Sequence, residues 1–481
     1  MTDRPTISRR QLLARGGAAA AGLAAAGAYG GLPAWARPVA SAASGPRAPG
    51  SLPFPHLPAG HPTPGLEQIE HVVVLMMENH SFDNLLGMVP YQVKGRAHVD
   101  GLTLRRKTII NSNPSSIAPY GIMGPDVPAQ RASSPCQGPG VSQSWNASHT
   151  AWNNGANNGF VQASSDQAMS FWDRGYLPAS YSLAQHFPIG ERYFCSVLAA
   201  TYPNRRFLFC GTASGLTATN NYTFQVPAAN GTIFNQLLEH NISWLNYVTP
   251  TSGTLEGSPL IVPEFARSTA CTDRMVPIAR FFTDAAHGKL PSFSFLDPNY
   301  VVDSEENPQD IQAGERFIAQ VAGALLRSRR WHKTALFITW DEHGGYYDHV
   351  RPPAAIAPDS IAPLTTPEAA LTDPSQPLAP GGYDRYGFRV PLLVISPWAR
   401  ANYASRVVQD HTSILAFVER KWNLPALSFR DANAHPMTDY FDFRRPAFAK
   451  PPKLAAPPAM APGLAECERA GLTPPVGTPG L

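Results

Sequence analysis

Acidic and amide side chains stand immediately after two strongly apolar runs. HVVVLMM (71–77) leads into Glu78-Asn79, and TALFITW (334–340) leads into Asp341-Glu342. Runs of this kind read as strands buried on both faces of a sheet, and ligands of open α/β sheets bind beyond the carboxyl ends of the strands. Two strands ending in carboxylates can deliver them to one cation. Their hard oxygen donors suit Ca²⁺, Mg²⁺ or Mn²⁺ better than a thiolate-preferring ion. Capping or turn formation after each strand is the competing explanation for either pair taken alone. Between them lies ATYPNRRFLFCGT (200–212), where Pro203 suits a first helical turn and puts Thr201 at or before the cap. Thr201 is a candidate nucleophile or metal-bound hydroxyl, beside helix N–H groups open to a phosphate. Arg205 or Arg206 supplies phosphate contacts. His343, His349 and His411 lie near these segments in sequence and are candidate proton donors.

The elements that must position these groups follow from periodicity. Further apolar runs occur at 243–248, 292–297 and 390–397. Helical patterns occur at 232–239, at 315–326 and at 411–422. Strands alternating with helices predict a doubly wound α/β fold. Residues 95–190 and 351–388 are rich in loop-forming residues without a clear period, and read as insertions at the rim of the sheet.

The chain has 481 residues, 43% of them hydrophobic and 15% charged, enough for a large buried core. The N-terminus reads SRRQLL (8–13), followed by an Ala- and Gly-rich run and Ala34-Trp35-Ala36. This pattern predicts a twin-arginine export signal over 1–36, with periplasmic, cell-wall or secreted location and the twin-arginine translocase as a partner. That segment holds four of the 38 basic residues and one of the 35 acidic ones, so the remainder carries 34 of each. A neutral chain argues against nucleic-acid binding. Residues 37–66 read as a Pro-rich linker, 67–446 as the catalytic domain and 447–481 as a Pro-rich tail. Five cysteines without CxxC spacing argue against a thiolate zinc site and allow one or two disulfides, with at least one thiol left free.

Together IEHVVVLMMENHSFDNLLG (69–87), YFCSVLAATYPNRRFLFCGTASG (193–215), TALFITWDEHGGYYDHVRPP (334–353) and QDHTSILAFVERKWNLP (409–425) form a specific combination. In these segments the chain resembles the family of bacterial phospholipases C acting on phosphatidylcholine, which also contains acid phosphatases. The resemblance spans roughly 69–443. It implies an alkaline-phosphatase-like, mostly parallel α/β sandwich. It implies one divalent metal (Ca, Mg, Mn or Zn) on Glu78, Asn79, Thr201, Asp341 and Glu342, with Thr201 as nucleophile. His149, His349 and His411 are its candidate acid donors, and Arg205 and His343 its candidate substrate contacts. Two positions depart from the family, Gln143 and Asn307, where members commonly carry His. The larger phospholipases carry additional C-terminal modules, and the resemblance here is to their catalytic domain. Three activities are expected in order: a phospholipase C with transient membrane contact, a broad phosphomonoesterase, and an inactive binding protein. A lipase needs an apolar entrance, for which Trp145, Trp152, Phe160, Phe171 and Trp172 are candidates, with the core as their equal alternative.

Overall fold

A computed structural model describes residues 45–458, except 119–121, 139, 220–226, 251–254, 256, 267 and 365–377, together with Cys467. The predicted export signal at 1–36 lies outside the described residues, as does most of the tail beyond 458.

The core is an eight-stranded sheet. Its strands in chain order are β1 (His71–Met77), β2 (Ile189–Gly190), β3 (Trp244–Val248) and β4 (Met275–Pro277), then β5 (Phe293–Asp297), β6 (Thr334–Trp340), β7 (Leu392–Ile395) and β8 (Ala404–Ser405). Their spatial order is β4-β3-β5-β1-β6-β7-β2-β8. Every neighbouring pair is parallel except those made by β7, which runs against both β6 and β2. The five runs read as strands are strands. The reversal of β7 has no sequence signature, because burial on both faces dictates an apolar run whichever way the strand points. All seven residues of β1 and of β6 are buried, and they pair along their full length, from His71 with Thr334 to Met77 with Trp340.

Helices flank this sheet. They include α1 (Phe82–Leu86), α2 (Trp145–Trp152), α3 (Pro178–His186), α4 (Thr201–Cys210), α5 (Ile233–Glu239), α6 (Ile278–His287), α7 (Ile311–Leu326) and α8 (His411–Trp422). α8 packs on α4, while α7 packs on α3 and α6. Among the described residues no helix is long and apolar enough to cross a membrane.

Three regions add to the sequence reading. Residues 45–66, the described part of the 37–66 stretch read as a linker, are stitched to the end of α8. Thr63 N–H donates to Lys421 O and Gly60 N–H to Trp422 O, while Asn423 Nδ2 donates to the Phe54 and Leu57 carbonyls. Residues 95–190 carry order of their own: α2, α3, β2 and short strand pairs. Trp145, Phe160, Phe171 and Trp172 are buried in the core and form no apolar entrance. Cys136 and Cys467 form a disulfide across 331 residues of chain, and Cys195, Cys210 and Cys271 are buried outside it.

Candidate active site

The order β5-β1-β6 places three acidic strand ends side by side: Asp297 closing β5, Glu78 after β1 and Asp341 after β6. The backbone locks the arrangement. Asp341 N–H donates to Met77 O, and Glu78 N–H donates to Ser304 O at 2.9 Å. Asp341 Oδ1 accepts the N–H groups of Asn79 (3.1 Å) and Glu342 (2.8 Å). Asn79 takes a left-handed conformation, φ +62°, which an Asn tolerates better than most residues. Gly344 (φ +65°) passes so close to Asn79 that a Cβ there would stand 2.0 Å from its carbonyl oxygen, so the turn after Glu342 requires glycine.

Thr201 is the first residue of α4, with no side-chain cap ahead of it. Asn204 builds the approach. Its Oδ1 accepts from Ser196 and Val197 N–H, and its Nδ2 donates to the Val197, Ala199 and Ala200 carbonyls. That network fixes the turn which delivers the Thr201 hydroxyl to Glu78 Oε2, 3.3 Å away.

Arg205, one turn further along α4, is fully buried. Its Nη2 donates to Glu78 Oε1 (2.8 Å), its Nε to Asp341 Oδ2 (3.1 Å), and its Nη1 to Ser258, Tyr300 and, at 3.4 Å, Asp297. In this arrangement the guanidinium holds the strand ends together.

One arginine does not neutralise this cluster. Burial, then Asp341, pushes the carboxyl of Glu78 well above the ordinary range, and the same two causes raise Glu342. Glu306, half-buried beside them, is pushed up to about 8 by burial and by Asp341. Asn79 Oδ1 and Glu342 Oε1 are buried with no hydrogen-bond partner among the described residues. Excess negative charge with unpartnered hard oxygens is what a divalent cation would satisfy, so Glu78, Asn79, Thr201, Asp341 and Glu342 fit a bound metal.

The histidines divide by environment. His411 Nε2 lies 2.7 Å from Asp341 O and Nδ1 3.0 Å from Tyr193 Oη, so both nitrogens are engaged in positioning Asp341. Burial lowers its pKa, and it lowers that of His343 to about 3, which keeps the His343 ring neutral. His343 Nδ1 stands 3.4 Å from Glu342 Oε2. His149 is half-buried, which lowers its pKa, and stacks on Trp145 with Nδ1 at 2.8 Å from its carbonyl.

His349 belongs to a second cluster. Its Nδ1 lies 2.6 Å from Asp83 Oδ2 and its Nε2 3.0 Å from Asp100 Oδ1. Burial alone would lower its pKa, but Asp83 and Asp100 hold it at about 10. Arg389 Nε donates to Asp348 Oδ1 (2.8 Å) and Nη2 to Asp83 Oδ1 (3.1 Å), while Arg192 binds Asp100 (2.6 Å). Asp83, Asp348 and His349 bring ligand-type atoms within 4.8 Å of one another, close enough for a cation. Both ring nitrogens of His349 meet carboxylates, and the residue ties this cluster together.

Asp297, Glu306, Tyr300 and Asp83 were not singled out from the sequence. The acid ending SFSFLD (292–297) is the signal that would have found the first. At the departures, Asn307 Nδ2 donates to Gly138 O (3.1 Å) and Tyr346 Oη (2.9 Å), and Gln143 O accepts from Ser148 Oγ.

Residues 69–425 match the model of the Phosphoesterase family. The chain is 29% identical to phospholipase C B of Mycobacterium tuberculosis, over 84% of each chain. It is 29% identical to phospholipase C A of that species, over 96% of this chain and 90% of the relative. It is 29% identical to non-specific phospholipase C1 of Arabidopsis thaliana over 78% of this chain and 71% of the relative. The non-hemolytic phospholipase C of Pseudomonas aeruginosa is 27% identical, with 59% of its length covered. The chain belongs to the Phosphoesterase family, and its chemistry is the hydrolysis of phosphoric esters.

Proposed function

We propose that the protein is a metal-dependent phospholipase C that cleaves phosphatidylcholine-type diesters into diacylglycerol and a phosphorylated head group. The observation that carries this reading is the Thr201 hydroxyl on Glu78, at the N-terminus of α4 and beside unpartnered Asn79 and Glu342 oxygens. Relatives named phospholipase C, aligned over most of the chain, support the choice of substrate class. We read the mostly parallel sheet as an alkaline-phosphatase-like arrangement, and residues 67–446 as one catalytic domain. The export signal at 1–36 is proposed to send it through the twin-arginine translocase to the periplasm, cell wall or medium.

Glu78, Asn79, Thr201, Asp341 and Glu342 would hold one divalent cation. When bound, such an ion supplies Lewis-acid polarisation of a phosphoryl oxygen and favours ionisation of a nearby hydroxyl. Glu78 Oε2 orients the Thr201 hydroxyl, and Arg205 holds Glu78 and Asp341 at a fixed separation. Thr201 Oγ attacks phosphorus in line, passing its proton to Glu78 Oε2, as the bond to the diacylglycerol oxygen breaks and that oxygen takes a proton from water. The open N–H groups of α4 face the charge that grows on the equatorial oxygens. Water then releases the phosphorylated head group from Thr201.

The test is paired hydrolysis of phosphatidylcholine and p-nitrophenyl phosphate by wild type and Thr201→Ala. Diacylglycerol release that disappears in the variant is the expected result. Activity on the monoester alone would replace this reading with an acid phosphatase. Full activity in the variant would remove Thr201 from the chemistry.

A further inference from the structure

Between the end of β5 and the segment that supports Glu78, the chain makes a short turn, Asn299–Ser304. Both of its ends are tied to the candidate site. At one end Tyr300 Oη accepts from Arg205 Nη1 at 3.1 Å. At the other, Ser304 O accepts the Glu78 N–H at 2.9 Å. The turn is ordered from within. Val301 N–H donates to Asn299 Oδ1 (2.9 Å), Asn299 N–H to Asp303 Oδ1 (2.7 Å), and both Val302 and Asp303 N–H to Asn299 O at 3.0 Å.

At its tip two consecutive β-branched apolar side chains face water: Val301 is 49% exposed and Val302 45%. Single exposed apolar residues are ordinary on protein surfaces. An adjacent pair, on a turn held rigid by side-chain hydrogen bonds and fastened to the catalytic cluster at both ends, is a different arrangement. No Lys or Arg occurs between Lys289 and Arg316, so this stretch carries only acidic charge. An anionic surface would repel it, and a zwitterionic one would not.

We propose that Val301 and Val302 form an interfacial wedge that inserts into a zwitterionic lipid surface and sets the catalytic cluster against substrate still seated in the bilayer. This deepens the phospholipase reading and rests on it. The wedge is separate from the residues that do chemistry, so it should affect catalysis only on packed lipid. Two half-exposed valines bury a few methyl groups on insertion, which suits reversible contact more than stable anchoring.

The experiment uses the full chain and the double variant Val301→Ser/Val302→Ser. Hydrolysis is measured on soluble p-nitrophenyl phosphorylcholine and on large unilamellar vesicles of phosphatidylcholine. Flotation with the same vesicles reads binding directly. The expected result is a fall of about tenfold in the vesicle rate and weaker flotation, with the soluble rate within about twofold of wild type. Unchanged vesicle rate and flotation would overturn the proposal. An equal fall on both substrates would also overturn it, by showing that the valines hold the site together. If wild type hydrolyses neither choline substrate, the phospholipase reading fails, and flotation still decides whether the turn engages lipid.

Discussion

β1 and β6 each feed two acidic clusters, and the two differ in how their charge is closed. The first cluster, Glu78, Asp297, Asp341 and Glu342, has Arg205 as its buried cation and leaves Asn79 Oδ1 and Glu342 Oε1 without partners. The second lies a few residues further along the same two segments. There Asp83, Asp100 and Asp348 face Arg389, Arg192 and a protonated His349, and the carboxylates meet cations one for one. Proximity alone favours the second as a metal centre, since its ligand-type atoms lie within 4.8 Å of one another. Charge balance favours the first. Charge carries more weight, because carboxylates that share a single guanidinium beside unpartnered buried oxygens gain more from a cation than carboxylates that each meet one of their own. On the proposed reading the balanced cluster acts as a lock that fixes α1 and the 343–350 loop, and the unbalanced one carries the chemistry.

The comparison breaks most visibly in activity. Glu342→Gln is expected to lower hydrolysis of phosphatidylcholine by about a thousandfold or more, the scale of losing a group that acts in the transition state. A chelator should lower the Tm of wild type, with recovery on adding a divalent ion, because removing the ion exposes the repulsion among Glu78, Asp341 and Glu342. Asp348→Asn should keep that recovery. Loss of the divalent-ion shift in Asp348→Asn, with its retention in Glu342→Gln, would exchange the roles of the two clusters.

A smaller effect is expected from cutting the lock. Arg389→Met leaves Asp83 and Asp348 buried without their shared partner, a loss of about 3–5 kcal/mol in urea denaturation. The double variant Arg389→Met/Asp348→Asn should recover part of it. A loss below about 1 kcal/mol in the single variant would mean that the cluster tolerates open charge, as the first one does.

The contrast also marks what was legible in the chain. Glu78-Asn79 and Asp341-Glu342 were readable because a strand buried on both faces admits almost no polar residue, so acids at its end stand out. β1, β3, β5, β6 and β7 were readable for the same reason. The partners were not. Arg205 lies 127 residues from Glu78 and Arg389 306 residues from Asp83, and no local pattern records which arginine closes which carboxylate. Arg205 therefore read as a phosphate contact, although the fold spends it on the strand ends. His349 and His411 read as acids for the same reason, since a histidine's role is set by what its ring nitrogens meet. Nor could the 45–66 segment be seen to pack on the end of α8, because proline-rich sequence without periodicity looks alike whether free or docked.

The smallest and most specific test concerns pH. His349 is held at about 10 in the fold and returns to about 6.5 when unfolded. Below 6.5 both states carry the proton and the stabilisation is complete. Between about 6.5 and 10 only the folded state keeps it, so stability falls as pH rises, by at most about 1.4 kcal/mol per pH unit for this one group. His349→Gln should therefore be less stable than wild type at pH 6 and show a shallower decline from pH 7 to 10 in urea denaturation. The first cluster predicts no such decline from His343, which burial keeps neutral throughout that range. An equally steep decline in His349→Gln would mean that Asp83 and Asp100 do not hold the imidazolium. The charge-for-charge closure that separates the two clusters would then fail at its histidine.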